Sequence, residues 1–371
     1  MRKYPCVFMR GGTSKAIFFQ EKDLPQNKAE WPEIFMKVMG TPDVKQIDGM
    51  GGAVSSTSKI AVISPSDQPN INVNYHFFQV DPAIANVEDT ANCGNISSAV
   101  GPYAIEEGFV AAVAPETTVR IYNVNTKKII EETVQVKDGQ VQLEGSAKID
   151  GVPGTAAPIQ VLFVEPGGSK TGKLFPTGKK QEIIEMPDGS SLSATIIDCA
   201  NPVIILRAQD LGIKGTELLE LNNNKAAMAY IETARGIAAE KFGFVKTWQE
   251  AADKSTSIPK VCIISPPQDY INIEGVPVPS SAMDICTRAI SVGSVHKAIP
   301  LTVAVAAGSA ACIPGTVIHD MIRPESPRDI VRLGHPSGLI DIKAVVENDY
   351  VLKAGAIRTA RRIMDGFVYV R

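Results

Sequence analysis

A chain of 371 residues exceeds one ordinary hydrophobic core and suits two. Its 44% hydrophobic and 21% charged residues describe a soluble globular protein, and a net charge of −3 gives no reason to expect nucleic acid or an anionic membrane as partner. No apolar run approaches the roughly 18 residues of a membrane span. The segment Met1 to Cys6 enters a strand with no signal-peptide core. The six cysteines are scattered without a CxxC pair, which points to reduced thiols in a cytoplasmic protein.

In chain order, Cys6 to Met9 and Ala16 to Phe19 read as short strands around a turn at Arg10 to Lys15. Ala29 to Met39 reads as a short amphipathic helix, and Lys59 to Ser64 and Asn72 to Val80 as strands. Asn95 to Gly108 reads as the central helix of the first half, where Pro102 implies a kink or a first-turn placement. Thr118 to Val124, Ile129 to Lys137 and Gln140 to Ala147 read as a meander, with Asp138-Gly139 as a hairpin turn. Glu165 to Lys180, rich in Pro, Gly and Lys, reads as a linker. Strands follow at Gln181 to Met186, Ser191 to Ile197 and Val203 to Leu206. Asn223 to Phe242 is the longest helix of the second half, Ala306 to Ala311 opens a further helix, and Gly366 to Arg371 alternates like a strand. The expected class is α+β, with two mixed sheets each wrapped around a helix.

Two residues carry the chemical signal. Lys59 lies between a Gly/Ser/Thr-rich loop and an apolar strand. Cys93 stands in Asn-Cys-Gly-Asn, before a run of small residues that reads as a helix start. A thiol there ionises more easily, and a partly desolvated lysine can carry a proton. Together they point to proton transfer on a small acid. The bland alternative is an inert buried cysteine and a surface cation.

The chain also repeats itself. Ser14 to Pro25 aligns with Asn201 to Gly212, Lys59 to Ser66 with Lys260 to Pro267, and Ala91 to Gly101 with Ala306 to Gly315. The order is the same in both halves, so two related domains are expected, with a small-molecule cleft between them. In the third alignment Cys93 faces Ala307. Metal is not expected: the four histidines are far apart, without HxH or HExxH. The stretches Gly49 to Gly52 and Gly167 to Lys173 lack the spacing of a nucleotide loop.

The segments Arg10 to Phe19 (RGGTSKAIFF), Ser55 to Val62 (SSTSKIAV), Asn92 to Asn95 (NCGN), Asp198 to Pro202 (DCANP), Arg288 to His296 and His335 to Gly338 (HPSG) resemble the PrpF family over nearly the whole chain. The resemblance implies a diaminopimelate-epimerase-like fold of two pseudo-symmetric domains, each a curved mixed sheet around a central helix, with the active site in the cleft between them. The domains expected are 1–180, joined by a C-terminal strand at about 355–371, and 181–354. It implies isomerisation of unsaturated carboxylic acids without metal or organic cofactor: a methylitaconate double-bond shift, 2-methylaconitate cis-trans isomerisation, or 4-oxalomesaconate keto-enol tautomerisation. A homodimer is expected on the same ground.

The resemblance carries Lys59 and Cys93 as the acid/base pair, with either in either role. It places Thr13 and Ser14 in the pocket, with Asn201 as the partner of Ser14. The amides of Gly94 and Asn95, and of Gly308 and Ser309, are expected at two helix N-termini that hold substrate carboxylates and the dienolate. His296 is a candidate carboxylate partner. Arg288 either pairs with a carboxylate or ties down a loop, and His335 shapes a loop. With Ala307 opposite Cys93, a two-thiol amino-acid racemase is disfavoured. Ala16 stands where the family leads one to expect glycine. The reading of another class is a non-catalytic accessory or binding protein of propionate metabolism, which would need no proton carriers.

Overall fold

Each half of the chain contains a tight antiparallel pair. In one, Arg2–Gly11 turns into Ser14–Gln20, with Gly11 opposite Ser14. Gly12 sits in that turn at φ +51, a backbone that glycine adopts without a Cβ penalty. In the other, Ser191–Cys199 turns into Asn201–Arg207 around Ala200. The computed structural model describes residues 1–90, 92–323 and 329–371. Ala91, the first residue of the third repeat segment, lies outside them. The chain divides into two units, Met1–Leu162 with Ile357–Arg371, and Phe163–Ala356.

The same pairing sequence runs through both units. In the first, Ser14–Gln20 is parallel to Lys59–Pro65, which is antiparallel to Val73–Val80. Val73–Val80 is parallel to Glu116–Asn123, which is antiparallel to Lys128–Lys137. In the second unit, Asn201–Arg207, Lys260–Ser265, Ile285–Ser291, Ile330–His335 and Gly338–Glu347 follow in the same parallel, antiparallel, parallel, antiparallel order. Register agrees as well: Ile17 faces Ile60, and Ile204 faces Val261, at the positions the first two sequence alignments equate. Strands covered on both faces read as unbroken apolar runs, and residues 60–63 and 261–264 are all buried. The class is α+β.

A central helix fills each unit. Leu301–Ala311 is apolar all round and buried at every residue. It packs on Ser191–Cys199, Asn201–Arg207, Ile330–His335 and Gly338–Glu347. It starts earlier than expected, directly after Pro300, so Ala306 lies at its midpoint rather than at its start. The expectation took small residues as the start signal, whereas Pro300 marks it. The first unit's counterpart is two short helices, Gly94–Ser97 and Val100–Glu106, rather than one. Pro102 lies in the first turn of the second helix, where its missing N–H costs no bond. The Gly101 amide is instead taken by Glu132 Oε2 at 2.7 Å. Burial pushes that carboxyl well above the usual range.

Other boundaries moved for local reasons. Asp138 and Gly139 both adopt positive φ, as a two-residue hairpin turn requires. The strand after them stops at Val141. The stretch expected as a linker is anchored within the second unit. Asp198 accepts hydrogen bonds from Ser169 Oγ and from the amides of Lys170 (2.8 Å) and Thr171 (2.7 Å). The amides of this glycine-rich stretch thus serve an internal carboxylate. The chain ends in Ala360–Val370, antiparallel to Arg2–Gly11.

Gly11 fixes how closely the first turn approaches the helix that follows Cys93. A Cβ there would stand 2.5 Å from the Asn95 carbonyl oxygen and 3.1 Å from Ile96 Cα, both backbone atoms. Gly11→Ala is therefore expected to cost about 1–3 kcal/mol, the scale of overpacking. Urea unfolding measures this, and an unchanged midpoint would contradict the close approach.

Candidate active site

Lys59 is the first residue of its strand and is paired in register with Gln79. It is only 7% exposed. Its Nζ donates to Gln79 Oε1 and lies 5.1 Å from the centre of the Phe77 ring. The Gln79 amide is oriented from behind, because its Nε2 donates to the carbonyls of Ser58 (2.9 Å) and Ser55 (3.2 Å). The loop before Lys59 folds around another glutamine. Gln46 Oε1 accepts from the Ala53 amide at 2.8 Å and from Ser58 Oγ at 2.5 Å. The glycines at 49–52 thus wrap a side chain.

Cys93 caps Gly94–Ser97 from an extended backbone, φ −112 and ψ 96. Its carbonyl accepts from the Ser97 amide (2.9 Å), Ser97 Oγ (3.1 Å) and Tyr75 Oη (3.4 Å). These bonds fix the backbone and leave the partly exposed side chain to a different partner. That side chain lies close enough to Lys59 to act electrostatically on its amine. Burial pulls the Lys59 amine below the usual lysine range, and the charge of Cys93 pulls it back up. An amine held down in this way exchanges a proton more readily near neutral pH.

The Gly12–Thr13 turn adjoins this pair. Thr13 Oγ1 accepts from Asn95 Nδ2 at 3.0 Å. Asn95 Oδ1 accepts from Arg358 Nη2 at 2.9 Å. Ser14 is buried, as are Gly94 and Asn95 in the first turn after Cys93. Arg358 acts electrostatically on Cys93. The structure thus brings Lys59, Cys93, Thr13, Asn95 and Arg358 into one connected set. Gln79 and Arg358 were missed in the sequence. The available signal for Arg358 was a lone cation ending the apolar run Ala354 to Ile357.

The second unit places its expected residues differently. Asn201 is fully buried, and its Nδ2 donates to Thr302 Oγ1 at 3.1 Å in the first turn of the central helix. His296 is half-buried, and its Nδ1 accepts from the Ala298 amide at 3.1 Å. Gly308 and Ser309 lie in the last turn of Leu301–Ala311, so their amides are not at a helix N-terminus, contrary to expectation. By strand order the position equivalent to Cys93 is Pro300, not Ala307. Residues 296–302 contain no cysteine, so the absence of a second thiol holds under the corrected alignment. Arg288 ties down a loop: it donates to the carbonyls of Glu217 and Thr216 (2.9 Å for the latter) and lies over Tyr270. His335 Nδ1 accepts from the Ser337 amide at 3.2 Å. Lys260, the counterpart of Lys59, donates to Ser291 Oγ at 3.0 Å and to the Ser257 carbonyl at 3.3 Å.

Duplicated strand order around buried helices, with a cysteine capping one of them, defines an epimerase-like α+β protein. A hydroxyproline epimerase structure from Agrobacterium vitis shares this fold at TM-score 0.57 and 10% identity, over 99% of this chain and 92% of that one. The chain belongs to the PrpF family, whose model, described as PrpF protein, matches residues 1–371. It is 42% identical to the 3-methylitaconate isomerase of Eubacterium barkeri, covering 99% of this chain and 97% of that protein. It is 40% identical to the 2-methyl-aconitate isomerase of Shewanella oneidensis, with coverage of 99% and 97%. It is 38% identical to the (4E)-oxalomesaconate Delta-isomerase of a Novosphingobium species, with coverage of 100% and 98%. A methylitaconate-delta-isomerase crystal structure matches at TM-score 0.83 and 41% identity, over 100% of this chain and 96% of that one.

The buried amine has a consequence for stability. Its folded value lies below its unfolded one, so the unfolded chain holds the proton more tightly. The cost is complete below the folded value and fades as pH rises towards the unfolded one. Lys59→Met keeps the side-chain volume and removes this cost. We expect a variant as stable as the parent or more so, by up to about 1–4 kcal/mol at neutral pH, the range for replacing a buried ion pair with apolar groups. Urea unfolding reads the difference, and a clear loss of stability would contradict the arrangement.

Proposed function

We propose that the protein isomerises a small unsaturated di- or tricarboxylate by proton abstraction and return through Lys59 and Cys93, without an added cofactor. The observation that carries this is a buried lysine, its amine pulled down by desolvation, in electrostatic contact with the thiol that precedes the Asn95–Thr13 contact. A pure binding protein needs no pair of proton carriers.

The chemistry balances without a redox partner. One group takes a proton from the carbon next to the double bond. The electron pair moves through the double bond into the neighbouring carboxylate, giving a dienolate. The other group returns a proton at the far end, and the double bond has moved by one position. The ammonium of Lys59 beside the dienolate lowers its energy, a term that counts for more in a site with little water. The favoured substrates are those of the named relatives: methylitaconate and 2-methylaconitate, with 4-oxalomesaconate tautomerisation as the neighbouring reading supported by a relative of almost the same similarity. All six cysteines are free, which supports a cytoplasmic, reducing setting.

Purified protein with each acid in turn, followed by the change in conjugated absorbance, tests the reading. Cys93→Ser and Lys59→Ala should each slow turnover by about a hundredfold or more, the scale for a positioned acid or base. The double variant should lose little beyond either, because the two act as one unit. A folded Cys93→Ser protein with parent turnover would remove Cys93 from the chemistry. In heavy water, deuterium should enter the product or the recovered substrate, and absence of label from both would exclude proton abstraction.

The pH profile should be bell-shaped, with limbs that belong to the coupled pair. Because burial lowers the Lys59 amine, its ammonium form is lost at lower pH than in an ordinary lysine. The alkaline limb should therefore fall below the usual lysine range. A rate that is flat across the stable range would count against both groups.

A further inference from the structure

Arg358 is a buried cation that the proton-transfer pair does not require. It is 4% exposed and stands at the end of the strand Tyr350–Arg358. A guanidinium offers five N–H donors. Here Nη2 donates to Asn95 Oδ1 at 2.9 Å, while the buried Nε has no hydrogen-bond partner. Among the described residues no carboxylate pairs with it. Two cations lie nearby, Arg10 acting on Arg358 and Arg361 acting on Arg10, and the one group of opposite sign that acts on Arg358 is the Cys93 thiol. Arg10 spends its Nη1 on the carbonyls of Gly12 (3.0 Å) and Thr359 (2.8 Å) and on Thr359 Oγ1 (3.0 Å).

A buried cation without a paired carboxylate is among the most costly features a fold can carry. Natural proteins place such groups where function supplies the partner. The local geometry says where the partner arrives. A Cβ on Gly12 would stand 3.0 Å from Arg358 Nη2 and 2.6 Å from Asn95 Oδ1. The turn therefore passes directly over the guanidinium, and its Thr13 hydroxyl is held by the same Asn95 that holds Arg358. Cys93, two residues before Asn95, also interacts electrostatically with the guanidinium. The surroundings are a threonine hydroxyl, an asparagine amide, an arginine with spare donors and a thiol, and among the described residues no acidic side chain pairs with the guanidinium.

We propose that Arg358 is the anion anchor of this site: it receives one carboxylate of the substrate beside Cys93, with Thr13 and Asn95 as its polar rim. This rests on the isomerase reading for the identity of the anion, and it adds a residue that recognises substrate rather than one that moves a proton. Arginine suits the task because its planar fork matches a carboxylate and keeps its charge when buried. The anchor explains why a diacid or triacid is required: one carboxylate pairs with Arg358 while another conjugates with the reacting double bond. A monoacid cannot do both.

The test uses titration calorimetry with tricarballylate, a saturated tricarboxylate that cannot isomerise, on the parent, Arg358→Met and Asn95→Asp. The parent should bind. Arg358→Met should fold at least as stably, since it loses an unpaired buried charge, and should bind at least about tenfold more weakly, the scale for losing a hydrogen bond to a charged group. Asn95→Asp supplies an internal carboxylate to Arg358, so it should gain stability and also lose binding. Arg358→Lys keeps the charge without the fork and should fall between parent and Arg358→Met, which keeps the question open to measurement even if the methionine variant fails to fold. In turnover assays Arg358→Met should raise KM more than it lowers kcat. A folded Arg358→Met protein with parent affinity would overturn the anchor, as would a parent that does not bind tricarballylate. Binding needs no turnover, so the two readings separate. A parent that binds through Arg358 but isomerises none of the three acids defeats the isomerase reading alone. A parent that turns over while Arg358→Met binds equally well defeats the anchor alone.

Discussion

The first unit is built around one lysine kept out of water against one thiol. Lys59 pays for burial with a lowered affinity for its proton, and the same burial makes that proton mobile. Much of the local structure exists to hold this condition. Gln79 faces Lys59 across the sheet and is itself pinned by two backbone carbonyls. Gln46 folds the glycine loop that leads into the strand. Tyr75 and Ser97 hold the Cys93 carbonyl, so the thiol is the part of that residue free to respond to the lysine.

The two units share strand order and register but not chemistry. Lys260 begins the equivalent strand, and its amine donates to Ser291 Oγ and to the Ser257 carbonyl. The helix that follows starts at Pro300–Leu301, where the first unit has Cys93–Gly94. A duplicated fold thus holds a lysine–thiol pair in its first unit, and under the proposed function this asymmetry suits a shift of a proton along a molecule better than inversion at one carbon. The first unit also holds Arg358, whose buried Nε has no hydrogen-bond partner, so the proposed charge recognition and the proposed proton transfer would meet on the same few residues.

Some of this was legible in the sequence because its physical signal is local. The Lys59 and Lys260 strands are buried on both faces and read as apolar runs after a small polar residue. Aligning Ser14 with Asn201 and Lys59 with Lys260 recovered the observed register. The third alignment failed because it matched small residues to small residues. In a fully buried helix such residues carry no phase, and Pro300 was the usable marker. The first turn of the second short helix gives its Gly101 amide to Glu132, 31 positions away, and no window along the chain contains that contact. Arg358 was missed for a similar reason. It meets Asn95 only because the chain returns to its first unit at the end, and a lone arginine ending an apolar run looks ordinary until its neighbours are known.

The central claim is that Lys59 and Cys93 form one proton-exchanging unit inside a desolvated site. The most direct measurement is the pH titration of the Lys59 side chain by NMR, on lysine-labelled protein, with the resonance assigned by its loss in Lys59→Met. The account predicts a titration below that of the surface lysines, because desolvation is its largest influence. It also predicts a further fall in Cys93→Ser, because the thiol's charge now raises the value. A Lys59 that titrates with the surface lysines, and does not move when Cys93 is replaced, would contradict it.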